Sequence, residues 1–388
     1  MDRPIVDREL SSSVGPTSDR LRFALATQKD DEAIRRLLRE NPTQGAISLS
    51  FEREPNYFAG AGLAAARDLT VVAYIGDRLV CLGHCATRNC WVGDQVKKVG
   101  YLSELRLDAS ARGRFDIVRR GYEFFRDLQQ ADPADIYFTS IGSDNTRARR
   151  LLESGLRGLP TYRFLTELVT IVIPVGRRTR PREDNQLRFV PLSKERIDDL
   201  IEFLNTSTVR RPLSVAWTKA QWLNLERHGV SLQDVHLLLR EDKIVGCGAL
   251  WDQRGFRQTV IRGYAPTLGR SRPLLNLVAP LLGTPRLPAA GSELAHAFLS
   301  PFATEAGNDA LFPALLSSIM PLAAKRGLEF ITLGLSANDP RLSTILKRFK
   351  HRVYRSRLYE VQWSGKTPTA EQTAIPAATQ ATPEIALL

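Results

Sequence analysis

The segment LRLDASARGRFDIVRRG, Leu105 to Gly121, reads as a strand that ends in a short basic loop and opens directly into an amphipathic helix. Such a junction is an anion site in outline. Gly113 lets the backbone turn tightly, the N–H groups of a helix start point outward, and the helix dipole favours a phosphate there. Arg112 and Arg114 add positive charge, and Asp116 in the first turn complements the dipole. The helix is supported by Ile117, Gly121, Phe124 and Leu128, which recur on one face.

Other chemistry is poorly supported. Cys81, His84, Cys85 and Cys90 crowd one stretch, but alternation along a strand puts Cys81 and Cys85 on one side and His84 on the other, so no metal site is expected. The chain has 5 histidines and no G-x-S-x-G elbow, which argues against a serine hydrolase. His351, between Lys350 and Arg352, reads as part of a solvated basic patch. Trp217, Trp222 and Trp251 read as core or interface packing.

The elements that must position the loop occur twice. LRFALA (21–26) and DDEAIRRLLRE (30–40) predict a strand and a helix with Ile34, Leu37 and Leu38 on one face; LRFVPL (187–192) and KERIDDLIEFLN (194–205) answer with Ile197, Leu200, Ile201 and Leu204. A hairpin follows in each half, around Gly76-Asp77 and around Glu241-Asp242. Each half then runs strand, helix, strand, helix and final strand. Between them, residues 174–186 carry two prolines, a glycine and the arginines 177, 178, 180 and 182, the composition of an exposed linker.

Strand, R-G-x loop, helix, strand, and then Asn145 at a helix start resembles the GNAT superfamily of acyl-CoA-dependent N-acyltransferases. The resemblance implies an α+β fold of two tandem GNAT-like domains, each a mixed, mostly antiparallel sheet flanked by helices. It implies that Arg112, Gly113, Arg114, Phe115, Asp116 and Ile117 hold the CoA pyrophosphate, that Leu105, Arg106 and Leu107 pair with the pantetheine arm, and that Asn145 also belongs to the cofactor site. Phe115 and Ile117 stand where the family's loop carries small residues. The family's usual acid tyrosine is here Leu152, and Tyr162, placed in the following loop, is the substitute. Acyl transfer needs a deprotonated amine; Glu104 is the candidate base, with an ion pair or a substrate-orienting role as its alternative. The second half lacks the loop and places Glu305 where phosphate charge would sit, so it is expected to be a degenerate copy.

The expected domains are therefore 21–173, with the CoA site, and 187–363, joined by 174–186. Residues 1–20 and 364–388, poor in apolar periodicity, are expected to be disordered tails. Among 388 residues, 54 Lys and Arg against 42 Asp and Glu give a net charge of +12, which suits anionic partners. No membrane span or signal peptide is evident, and 4 cysteines suit a reducing cytoplasm. The expected function is transfer of an acyl group, acetyl above all, from acyl-CoA to an amine, without a metal. Two alternatives are a non-catalytic GNAT-like ligand-binding protein and an aminoacyl transferase using charged tRNA; nucleic acid is not favoured.

Overall fold

The computed structural model describes residues 20–43, 45–63, 67–176, 186–208, 211–279, 286–308, 310–363, 375 and 380–388. The proposed N-terminal tail and the four linker arginines lie outside these, apart from Arg20. The first half runs β1 (Leu21–Leu25), α1 (Asp31–Glu40), β2 (Ile47–Glu52), β3 (Arg67–Ile75), β4 (Arg78–Val92), β5 (Gln95–Leu107), α2 (Phe115–Gln129), β6 (Ile136–Gly142), α3 (Thr146–Leu152) and β7 (Thr161–Pro174). The second runs β8 (Arg188–Pro191), α4 (Ile197–Thr208), α5 (Lys219–Glu226), β9 (Val235–Arg240), β10 (Lys243–Trp251), β11 (Gln258–Tyr264), α6 (Pro266–Val278), β12 (His296–Thr304), α7 (Leu311–Lys325), β13 (Phe330–Ser336), α8 (Arg341–Arg348) and β14 (Arg352–Gln362). This is the α+β class with the doubled element order. Among the described residues, no helix is long and apolar enough to cross a membrane.

The apolar spacings do what they predict, except that Ile201 of α4 is only partly buried. Ile34, Leu37 and Leu38 of α1 are buried, and so are Ile197, Leu200 and Leu204 of α4. Trp217, Trp222 and Trp251 are buried in the core around α4. Tyr162, expected in a loop, stands in β7 because its strand begins at Thr161.

The two halves share a single 12-stranded sheet in the order β1-β3-β4-β5-β6-β14-β7-β13-β12-β10-β9-β8. The last strand of the second half lies between the last two of the first: β14 pairs antiparallel with β6, Leu358 opposite Ser140, and with β7, Val353 opposite Ile171. β7 in turn pairs with β13, Leu333 opposite Ile171. β2 and β11 form a small second sheet that also joins the halves.

The expectation of a loose tail over 364–388 fails at its end. Ile375, Ala381, Ala386 and Leu387 are buried. Their apolar atoms are removed from water against the other elements, Ile375 and Ala381 beside Cys90 and Leu358, and Ala386 and Leu387 beside Trp251. Small residues without periodicity give no sign of such packing in the sequence.

Candidate functional site

Two neighbouring parallel strands come apart in the first half. β5 and β6 pair from Val99 opposite Ile136 to Leu102 opposite Thr139, and there the pairing stops. β5 continues alongside β4 to Leu107 opposite Cys81, whereas β6 follows β14 to Gly142 opposite Ser356. The register of β5 against β4 shifts between His84–Ser103 and Leu82–Arg106. Glu104 sits in this bulge with φ of 55°, a left-handed conformation that non-glycine residues rarely adopt and that clusters at functional sites.

The bulge turns Glu104 into a cavity of about 330 Å³ on the α1 side of the sheet. Its carboxylate pairs with Arg53 and accepts a hydrogen bond from the Tyr57 hydroxyl at 2.8 Å. Burial pushes the Glu104 carboxyl up, but Arg53, His84, Arg257 and the Tyr57 hydroxyl together outweigh it and hold the group at about 2. Burial and the Glu104 charge push the Tyr57 phenol well above its ordinary range. His84 also lines the cavity, its Nε2 3.5 Å from Asp68 and its Nδ1 3.2 Å from the Ser103 hydroxyl. The strand alternation that separates His84 from Cys81 and Cys85 is what aims it here. Cys81 packs with Ile117 and Cys85 with Phe125, both under α2.

The loop after β5 differs from its sequence expectation. Gly113 has φ of 91°, which requires glycine, and the Phe115 ring is 57% exposed. Asp116 is held by Arg114 at 2.7 Å, so neither side chain fills the loop. The backbone amides are largely committed to local carbonyls: Arg112 to Ala109 at 3.4 Å, Arg114 to Ala111 at 3.1 Å, Phe115 to Gly113 at 3.0 Å and Ile117 to Arg114 at 3.2 Å. Of these peptide groups, the N–H of Gly113 has no partner among the described residues. The side-chain oxygen of Asn145 caps α3 by accepting from the Ala148 N–H at 3.1 Å. Tyr162 lies with α2, hydrogen-bonded through its hydroxyl to that of Tyr122. Thus the fold brings Glu104 beside the splayed strand of Leu105, Arg106 and Leu107, but it does not bring Tyr162 to Glu104. Sequence reasoning missed Arg53, Tyr57, Asp68, Arg88 and Arg257, because they reach the cavity from separate segments and one of them comes from the second half.

The second half repeats the splay and fills it with its own chain. β12 and β13 pair from His296 opposite Phe330 to Phe298 opposite Thr332 and then diverge. Between them the Ser300 hydroxyl donates to Glu384 at 2.5 Å, and Ile385 lies so close to Gly334 that a Cβ there would meet it at 2.9 Å. Burial pushes the Glu384 carboxyl up to about 7 against the opposing pull of Ser300 and Arg88. A carboxyl raised on folding contributes stability that is complete below the ordinary carboxylate range and is lost as pH climbs through about 7. Glu384→Gln keeps an acceptor for Ser300 and cannot ionise. Its melting temperature is therefore expected to match the parent at pH 5 and to exceed it at pH 8.5; equal values at both would remove the neutral-acid assignment.

No protein-family model matches the chain, and no curated protein matches it in sequence. Solved structures do match. A structure of a GCN5-related N-acetyltransferase from Sphaerobacter thermophilus aligns with a TM-score of 0.55 at 15% identity, covering 89% of this chain and 96% of that one. A Saccharomyces cerevisiae N-myristoyltransferase with bound myristoyl-CoA aligns with a TM-score of 0.62 at 12% identity, covering 98% and 93%. Another structure of the yeast enzyme with myristoyl-CoA gives 0.60 at 14%, covering 98% and 89%. At these identities the likeness is one of fold.

Proposed function

We propose that this chain, which has the GNAT fold in its tandem two-domain form, is an acyl-CoA-dependent N-acyltransferase, with acetyl-CoA as its donor, one working site and a degenerate second copy. The observation that carries this reading is the divergence of β5 from β6 beyond Leu102 and Thr139, beside a cavity holding an ionised carboxylate and a His–Asp pair. Acyl-CoA would supply an activated thioester. Leu105, Arg106 and Leu107 would hold its arm along the strand edge that β6 leaves, and Arg112 to Ile117 would hold its phosphates.

The net change fixes what the side chains must do. An ammonium and a thioester become an amide, a thiol and a proton: the N–C bond forms, the C–S bond breaks, one proton passes to sulfur and one to solvent. Direct transfer from an amine of pKa near 10 to a carboxylate at about 2 costs roughly 11 kcal/mol, so Glu104 orients the amine as its counter-ion and does not deprotonate it. Asp68 beside Nε2 fixes that nitrogen of His84 as the protonated one. Nδ1 is left to accept from the Ser103 hydroxyl and, through it, to draw the proton from the amine.

Calorimetric titration with acetyl-CoA tests the reading. The parent is expected to bind. Gly113→Glu is expected to lose the heat, because it adds a carboxylate and forces a side chain onto a φ of 91°. Arg112→Ala is expected to bind about tenfold more weakly. Indistinguishable heats in all three would remove the site. One observation favours a non-catalytic ligand-binding protein instead, namely the local engagement of the loop amides. Absence of any stabilisation at saturating acetyl-CoA would support that second reading.

A further inference from the structure

α6 is an amphipathic helix turned the wrong way round. Its polar side chains Arg272 and Asn276 are half-buried and hold the returning chain at Leu287. The Arg272 Nε donates to the Leu287 carbonyl at 3.0 Å; the Asn276 amide donates to the same oxygen at 2.9 Å and accepts from the Leu287 N–H at 2.6 Å. The Arg272 guanidinium also lies over the Tyr264 ring, 5.9 Å from its centre. The other face carries Pro266, Arg270, Pro273, Leu274 and Leu277, spaced i, i+4, i+7, i+8 and i+11, and all five are exposed. At 66% and 73%, Leu274 and Leu277 are the two most exposed large apolar side chains among the described residues. A helix that only meets water does the reverse, burying its leucines and solvating its polar groups.

The charge around this face is of one sign. From Gly263 to Ser292 the chain carries Arg270, Arg272 and Arg286 and no Asp or Glu. Arg270 and Arg286 are exposed and form no ion pair among the described residues. We infer that the outer face of α6 docks on a bilayer carrying anionic phospholipid, with Leu274 and Leu277 dipping among the acyl chains and Arg270 and Arg286 at the phosphates. Apolar side chains flanked by cations alone match a surface in which hydrocarbon lies just beneath negative charge. A second copy of the same face would set arginine against arginine about the two-fold axis. A protein partner would need more surface, because the strip is roughly 17 Å long and 10 Å wide, whereas a stable complex covers about 800 Å² on each side. The inference does not rest on the acyltransferase reading, since no residue of α6 lines the cavity.

Co-sedimentation of the whole chain with sucrose-loaded vesicles tests it, comparing phosphatidylcholine alone with two parts phosphatidylcholine to one part phosphatidylserine. The parent is expected to sediment with the mixed vesicles and to stay in solution with the neutral ones. Leu274→Ser/Leu277→Ser is expected to weaken the partition by at least about tenfold and to keep the parent's melting temperature, because both side chains already stand in water. Arg270→Gln and Arg286→Gln are each expected to weaken it by about fivefold. Arg150→Gln, which removes an exposed arginine of α3, is the control for net charge and is expected to change it less than about twofold. Equal loss in Arg150→Gln and Arg270→Gln would overturn the inference, because the charge would then act from the whole surface. So would undiminished partition of the leucine variant, or equal partition into both kinds of vesicle. Failure of the parent to bind either would overturn it in favour of a protein on this face, and a dimer on size-exclusion chromatography that the leucine variant dissolves would overturn it in favour of a second copy.

Discussion

Glu104→Gln is expected to destabilise the protein by about 3–5 kcal/mol, because it strips the counter-ion from a buried arginine and leaves that charge unpaired. Both side chains of the Arg53–Glu104 pair are well shielded, at 13% and 14% exposure, so solvent does little to screen the loss. Linkage gives a similar magnitude. A carboxyl held at about 2 against an ordinary 4.5 contributes roughly 3 kcal/mol, present above the ordinary carboxylate range and lost as pH falls through about 2. The acid limb of the stability profile should therefore flatten in the variant. Urea midpoints read the stability, and the control is Arg53→Met/Glu104→Leu, which removes both charges. The double variant is expected to recover most of the stability while its acyl transfer stays low, since the amine has lost its counter-ion. A single variant as stable as the parent would show that the pair is solvated and that Glu104 does not carry the site.

How much of this was readable from the chain differs from place to place. The helix faces of α1 and α4, the hairpins at Gly76 and Glu241, and the glycine at 113 are local: spacing and turn chemistry within a dozen residues specify them. The position of Glu104 beside the basic loop was also legible, but its state was not. What holds it at about 2 comes from Arg53 at the end of β2, Tyr57 just beyond, His84 on β4 and Arg257 before β11. The stretch containing Arg53 and Tyr57 has no apolar period to mark it. His84 shows the limit most clearly. Alternation correctly places it away from Cys81 and Cys85, yet only the fold shows that the face it takes is the cavity, with Asp68 waiting across the hairpin. The loop amides are a case in which motif and geometry part: Arg112-Gly113-Arg114 has the composition of an anion cradle, while the backbone turns most of those N–H groups onto Ala109, Ala111 and Gly113.

Residues 20–176, produced without the rest of the chain, are expected not to fold cooperatively, although their sequence reads as a complete unit. The reason is β14. Without it, β6 and β7 lose the strand between them, and two unpaired edges face each other inside what should be one sheet. The fragment also loses Leu358, Tyr359 and Val361, which are 0%, 1% and 3% exposed. At about 1.5–3 kcal/mol for each large apolar side chain, that is roughly 5–9 kcal/mol, comparable with the whole stability of an ordinary domain. Co-production with residues 186–388 should restore a soluble complex, because β7 and β14 can then pair along their length. Circular dichroism on heating and size-exclusion chromatography read the outcome. A monomeric fragment with a sharp melting transition would mean that β6 and β7 can close on each other, and that strand exchange is not what holds the halves together. The exchange also bears on function. Beyond Thr139 β6 keeps its pairing with β14 while its pairing with β5 ends, so the second half, whose own opening holds Glu384 and Ile385, supplies the strand beside one wall of the cleft that the proposed chemistry needs.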